Sequence, residues 1–257
     1  MLRYYWQRDR LDRVPIIMAG GVWNLSEWSD WIDNPEIGKI AFQFGTRPLL
    51  TKESPIPDDW KKRLLTIKKG EVSLHRFSPT GFYSSAVRNN FLKELEERSQ
   101  RQTEFEKEMT NEFEEKVEIG PRGKPIFVKK SDRSKIEKWM NKGFLKPLKT
   151  PDNTMIWVTL KKAKQILKDQ IDCMGCLSQC LFSNWSQGES GNTGKKPDPR
   201  SFCIQKTLME ISHGLASLEN ALMFAGHSVY RFAKDPFYKG GFVPKVKELV
   251  ERITKGL

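Results

Sequence analysis

The chain has 257 residues, 44 basic and 32 acidic, and a net charge of +12. Hydrophobic residues make up 38 % and aromatics 11 %, which supplies a packed core and argues against wholesale disorder. No apolar run approaches the ~18–20 residues that cross a bilayer, and Met1–Arg13 lacks the apolar stretch and cleavage site of a signal peptide, so a soluble, cytoplasmic protein is expected.

Val14-Pro15-Ile16-Ile17-Met18-Ala19 is a continuous apolar run, as expected of a parallel strand, and Gly20-Gly21 ends it. Ser26 predicts the N-cap of a helix to about Ile32. A second run, Lys39-Ile40-Ala41-Phe42-Gln43-Phe44, stops at Gly45-Thr46-Arg47. Strand, glycine turn, helix, strand, glycine turn is a βαβ unit with parallel strands. The pattern then turns helical. Asp58–Lys69 is one candidate. A long helix is predicted from Ser84 or Ser85 to about Glu118, with Phe91, Leu92, Leu95, Phe105, Met109 and Phe113 as its apolar positions.

Gly120-Pro121-Arg122-Gly123 is a break, followed by a short apolar piece, Pro125–Val128. A helix capped by Ser131 or Asp132 then runs to Gly143. Further helices are predicted at Thr159–Gln170, Phe202–His213 and Val243–Lys255, with a cysteine-bearing segment and a polar loop, Ser186–Pro199, between the first two. A two-stranded parallel sheet alone satisfies neither its edges nor its faces. The chain is therefore expected to dock onto something else or to be the tail of a longer fold, and a start thirteen residues before a core strand favours the second.

Glycines at a strand's carboxyl end let backbone N–H groups approach a ligand, and a following helix N-terminus favours an anion. Thr46 adds a hydroxyl donor and Arg47 a bidentate cation. The alternative is an ordinary pair of βα turns with a salt-bridging arginine. Two such turns on neighbouring strands match the place where (β/α)₈ barrels hold a phosphate, after strands 7 and 8.

The runs Pro15-Ile16-Ile17-Met18-Ala19-Gly20-Gly21-Val22-Trp23 and Phe42-Gln43-Phe44-Gly45-Thr46-Arg47-Pro48-Leu49-Leu50-Thr51-Lys52-Glu53-Ser54-Pro55 resemble strands 7 and 8 of the nitronate monooxygenase (2-nitropropane dioxygenase) family. The resemblance extends over residues 14–90, including Arg88-Asn89. It implies an α/β fold: the C-terminal part of a (β/α)₈ TIM barrel, its last two parallel strands, followed by a mostly helical extension. The divisions implied are 1–90 (barrel portion), 91–170 (helical segment) and 171–257 (Cys-containing helical extension). It also implies FMN as cofactor, its phosphate held by Ala19, Gly20, Gly21, Gly45 and Thr46, with Arg47 a weaker candidate whose side chain faces elsewhere in some arrangements. In that family FMN takes electrons from an alkyl nitronate and passes them to O₂, giving a carbonyl product and nitrite. The family's catalytic histidine lies upstream of the segment resembled. His75, His213 and His227 stand in no matching context, and no general base carries over, so activity of this chain alone is doubtful.

Cys173, Cys176, Cys180 and Cys203 are the only cysteines, spaced C-x2-C-x3-C-x22-C. In a cytosolic chain four thiols in one region suggest metal rather than disulfides. A triplet plus a remote fourth is closer to [4Fe–4S] ligation than to paired zinc knuckles. It resembles the cluster of the flavin- and iron–sulfur-containing dienoyl-CoA reductases, whose last gap is shorter. Iron–sulfur, zinc and reduced, packed cysteines all stay open, with Leu177, Phe182, Trp185, Phe202 and Ile204 as a dry shell. Asp198–Lys206 and Ala225-Gly226-His227 resemble an extension in one bacterial branch of the flavoprotein family.

Two other function classes are carried beside the flavoprotein. One is a basic nucleic-acid-binding protein with a four-cysteine metal site, for which charge and eight tryptophans speak but no recognised motif does. The other is a non-catalytic subunit that completes another chain's barrel, through an upstream barrel fragment or a second copy.

Overall fold

The computed structural model describes residues 4, 8, 14–120, 122–177, 179–183 and 197–255. Strands β1 (Ile16–Ala19) and β2 (Ile40–Gln43) pair in parallel, Ile16 opposite Ile40 and Ala19 opposite Gln43, as the two apolar runs predict. Between them Leu25–Trp28 forms a 3₁₀ turn rather than the predicted α-helix. So short a segment does not repay helix nucleation, and Asp33, at φ 55°, turns the chain into the left-handed region just beyond it.

Helix α1 (Asp58–Thr66) starts after Pro57 with two aspartates in its first turn, where the helix dipole favours them. β3 (Val72–His75) and β4 (Ser84–Val87) form a two-stranded sheet. Helix α2 (Asn90–Gln100) is capped by Asn89, whose side chain accepts the Leu92 N–H.

The long helix predicted from Ser84 to Glu118 is not there. After α2 come β5 (Gln102–Glu104) and the hairpin strands β6 (Glu115–Ile119) and β7 (Lys124–Val128). Phe105, Met109 and Phe113 imitate a helical period by their spacing, but Met109 is 69 % exposed. Arg101 ends α2 because β9 (Thr154–Val158) claims its polar groups. Its Nε donates to the Trp157 carbonyl at 3.1 Å and its own carbonyl accepts the Trp157 N–H at 2.8 Å. Tertiary hydrogen bonding here overrides helix propensity.

Helix α3 (Lys130–Asn141), strand β8 (Lys146–Lys149), helix α4 (Leu160–Ile171), helix α5 (Ile204–Ser212) and helix α6 (Val246–Lys255) complete the order. Thr159 caps α4 through the Lys162 N–H, whereas neither Ser131 nor Asp132 caps α3, whose N-cap is Lys129. The extension is thus not mostly helical. The chain is mixed α/β with small sheets, and none of those among the described residues closes into a barrel.

Two compact units result, neither contiguous in sequence. The first comprises Met1–Ser73, Ser85–Arg88 and Glu210–Leu257, and the second Leu74–Ser84 and Asn89–Met209. In the first, Trp23, Leu50, Trp60, Leu64, Phe232 and Tyr238 anchor a single apolar cluster. In the second, β9 is the middle strand of an antiparallel sheet ordered β5-β9-β8. Met155 and Trp157 pack into one cluster with the hairpin and Ile136 of α3, while Ile156 and Val158 pack into another with Ala163 and Ile166 of α4. Alternate residues of β9 therefore serve opposite faces. No helix among the described residues is long and apolar enough to cross a membrane.

Candidate functional site

The parallel register brings both glycine turns of the first unit side by side, and they line one cavity of about 440 Å³. Ala19, Gly20, Gly21, Gly45, Thr46 and Arg47 all contribute to its wall. Gly20 and Gly21 sit at φ 84° and 75°, which side-chain-bearing residues rarely adopt.

Their amides differ in use. The Gly20 N–H continues the sheet ladder by donating to the Gln43 carbonyl at 3.3 Å. The N–H groups of Gly21, Gly45 and Thr46 donate to no acceptor among the described residues. The Thr46 hydroxyl accepts the Gly226 N–H at 2.8 Å, so its own hydrogen stays available to donate.

Arg47 is 2 % exposed and held from several sides. Its Nε donates to the Tyr238 hydroxyl at 3.1 Å, and Nη1 donates to the Asn24 side-chain oxygen at 3.0 Å and to the Trp23 carbonyl. The guanidinium carbon lies 4.6 Å from the Trp23 ring centre. These neighbours are all neutral. Among the described residues Arg47 has no carboxylate partner, and Nη2 has no hydrogen-bond partner. A buried cation without a counter-charge is costly, and an anion in the adjoining cavity relieves it.

The far wall was not legible from sequence. Ser85 of β4, the segment Phe224–Gly226, and Ser228 line the same cavity. They arrive because the Val87 N–H bonds to the Met223 carbonyl at 2.9 Å and Ala86 bridges Phe224. The only sequence signal was the Ala225-Gly226 pair. A Cβ on Gly226 would press to 3.3 Å from the Thr46 hydroxyl.

The histidines lie elsewhere. His213 and His227 are exposed and neither lines the cavity. His75, in the second unit, is buried against Phe77 and Phe202. Its Nδ1 accepts the Phe77 N–H at 3.3 Å, its Nε2 has no partner among the described residues, and burial pushes its pKa down.

The four cysteines also belong to the second unit and are reduced. Cys180 and Cys203 enter the same apolar cluster as Ile156 and Val158, while Cys176 is exposed. Among the described residues no group of three or more His, Cys, Asp or Glu side chains is placed to hold a metal ion. Trp185 and Lys195-Lys196 lie outside the described residues. Of the remaining lysines, Lys129 bonds to Glu104 and Glu112, both at 2.7 Å, and its pKa is pushed well up by those bonds. Trp23 is buried in the first unit's core and Trp139 packs in the second unit's, as expected of structural tryptophans.

No family model and no curated protein sequence matches the chain.

Proposed function

We propose that the first unit binds a phosphorylated flavin, FMN, by its phosphate, in the manner of the last two strands of a flavin-binding (β/α)₈ barrel of the nitronate monooxygenase type. One observation carries this: a buried arginine without a carboxylate partner stands in the wall of a cavity lined by two adjacent strand tips, whose Gly21, Gly45 and Thr46 amides donate to no acceptor among the described residues. The cavity falls within the usual size range of small-molecule sites.

Gly21, Gly45 and Thr46 would donate to the phosphate oxygens, and Arg47 would balance the charge from behind rather than grip it. Bound FMN supplies the two-electron chemistry, and the chain supplies grip, orientation and charge. An open sheet face agrees with the barrel reading: Ile17 is 63 % exposed, and Ala19, Ala41 and Gln43 on the same face are exposed with it. In a barrel, further strands or a partner copy would cover them.

The test compares FMN with riboflavin, which lacks the phosphate, by flavin fluorescence and calorimetry on the full chain. FMN should bind at least ~30-fold tighter, about 2 kcal/mol of charge-assisted hydrogen bonding, and inorganic phosphate should compete. Equal binding of the two flavins, or none of either, would remove the assignment.

A further inference from the structure

We propose that a second cavity of the first unit, about 430 Å³ in volume, binds a phosphate monoester attached to a flat ring, that is, a mononucleotide. It is lined by other residues than the strand-tip amides and does not rest on the flavin reading.

The chain folds tightly to build it. After a 3₁₀ turn, His227–Arg231, the N–H groups of Lys234 and Asp235 both donate to the Arg231 carbonyl, at 3.0 and 2.9 Å. Arg231, Lys234 and Asp235 thereby enter one lining, and α6 adds Arg252 to it. Trp23 and Asn24, which follow the first glycine turn, form another part of the wall.

Three cations and one carboxylate therefore meet here, and the carboxylate is already engaged. Asp235 Oδ2 accepts the Trp23 Nε1–H at 2.8 Å, while Oδ1 accepts the Phe237 N–H at 3.0 Å and an Arg252 Nη2–H at 3.2 Å. Arg231 is answered by Glu27, to which its Nη1 donates at 3.0 Å. Lys234 has no carboxylate partner among the described residues; its ammonium lies 5.5 Å from the Tyr230 ring centre. The buried Nε of Arg252 has no hydrogen-bond partner among them either. Asn24 turns its Oδ1 to Arg47, which leaves its Nδ2 as an unused donor. Arg47 itself, without a carboxylate, is bonded to the Trp23 carbonyl behind this wall. Arg47, Arg231, Lys234 and Arg252 thus face only Glu27 and Asp235, and a guest carrying about two negative charges balances the group.

A phosphate monoester carries about −1.5 to −2 charges near pH 7, and the arginine fork suits its oxygens. The volume falls in the range of small-molecule sites and exceeds what a lone inorganic anion fills. Trp23, Tyr230 and Pro236 give the lining an apolar part that takes a ring.

The test is calorimetry on the full chain with AMP, with adenosine, which lacks the phosphate, and with phthalate, a ring carrying two carboxylates. AMP should bind at least ~10-fold tighter than either, and more weakly as salt is added. Lys234→Gln, at an exposed position, should lower AMP affinity about tenfold, and Lys234→Arg should restore most of it. No AMP binding, equal binding of AMP and adenosine, or phthalate binding as tight as AMP would each overturn the proposal. So would an AMP affinity unchanged by Lys234→Gln, since AMP seated between the strand tips would not sense that residue.

Discussion

Strands β1 and β9 look alike in sequence, each a short apolar run, yet they live differently. Every residue of β9 from Met155 to Val158 is buried, because a hairpin and α3 cover one face and α4 with the cysteine segment covers the other. In β1 burial alternates, and Ile17 and Ala19 are exposed. An apolar run therefore announces a strand but not what covers it. β9 draws its cover from its own unit, whereas one face of β1 stays exposed.

That contrast can be broken most forcefully at Trp157, fully buried with its Nε1 donating to the Thr103 hydroxyl at 3.1 Å. Trp157→Ala should cost about 4 kcal/mol in denaturant unfolding. A loss under ~1 kcal/mol would mean that β9 is not the central strand of its unit. Next in size is Arg47→Met, which removes the uncompensated cation beside the cavity. FMN affinity should fall about 30-fold, about 2 kcal/mol, while riboflavin binding is unchanged.

Gly21→Ala should cost about 1 kcal/mol of stability, since no atom lies within 4 Å of the added Cβ and only the positive φ resists it. Gly45→Ala, in open space without a positive φ, serves as its comparison and should be nearly neutral.

His75 gives a pH test of the closed unit. Its folded pKa lies below the ordinary 6.5 because burial disfavours the imidazolium. The unfolded chain therefore binds the proton first, and stability falls as pH drops below ~6.5 until the folded pKa is reached. His75→Leu should remove that part of the acid-side loss in melts across the range. The smallest effect is expected at Ile17→Lys, within about 0.5 kcal/mol, because the side chain is already in solvent. A larger loss would show that the open face is covered when the chain is in solution.

The parts legible in sequence were those decided locally. The two parallel strands, their glycine turns, and α4 with its Thr159 cap follow from a few neighbouring residues. A strand such as β6, Glu115–Ile119, was not legible because charge alternates with its apolar residues and because the four-residue spacing of Phe105, Met109 and Phe113 reads as helix. Arg47 was legible as a cation but not as one turned toward Trp23 and Tyr238, the latter 191 residues away. The cysteines could be grouped by spacing, but only the fold reveals that Cys180 and Cys203 share one apolar layer.

The bond from the Gly226 amide to the Thr46 hydroxyl joins residues 180 positions apart. During synthesis, the strand tips emerge long before the wall that closes them, and the whole of the second unit is made in between. At ~5–20 residues per second the ribosome needs on the order of ten seconds or more to bridge that interval. The second unit can fold within it, before the wall that closes the cavity has been made.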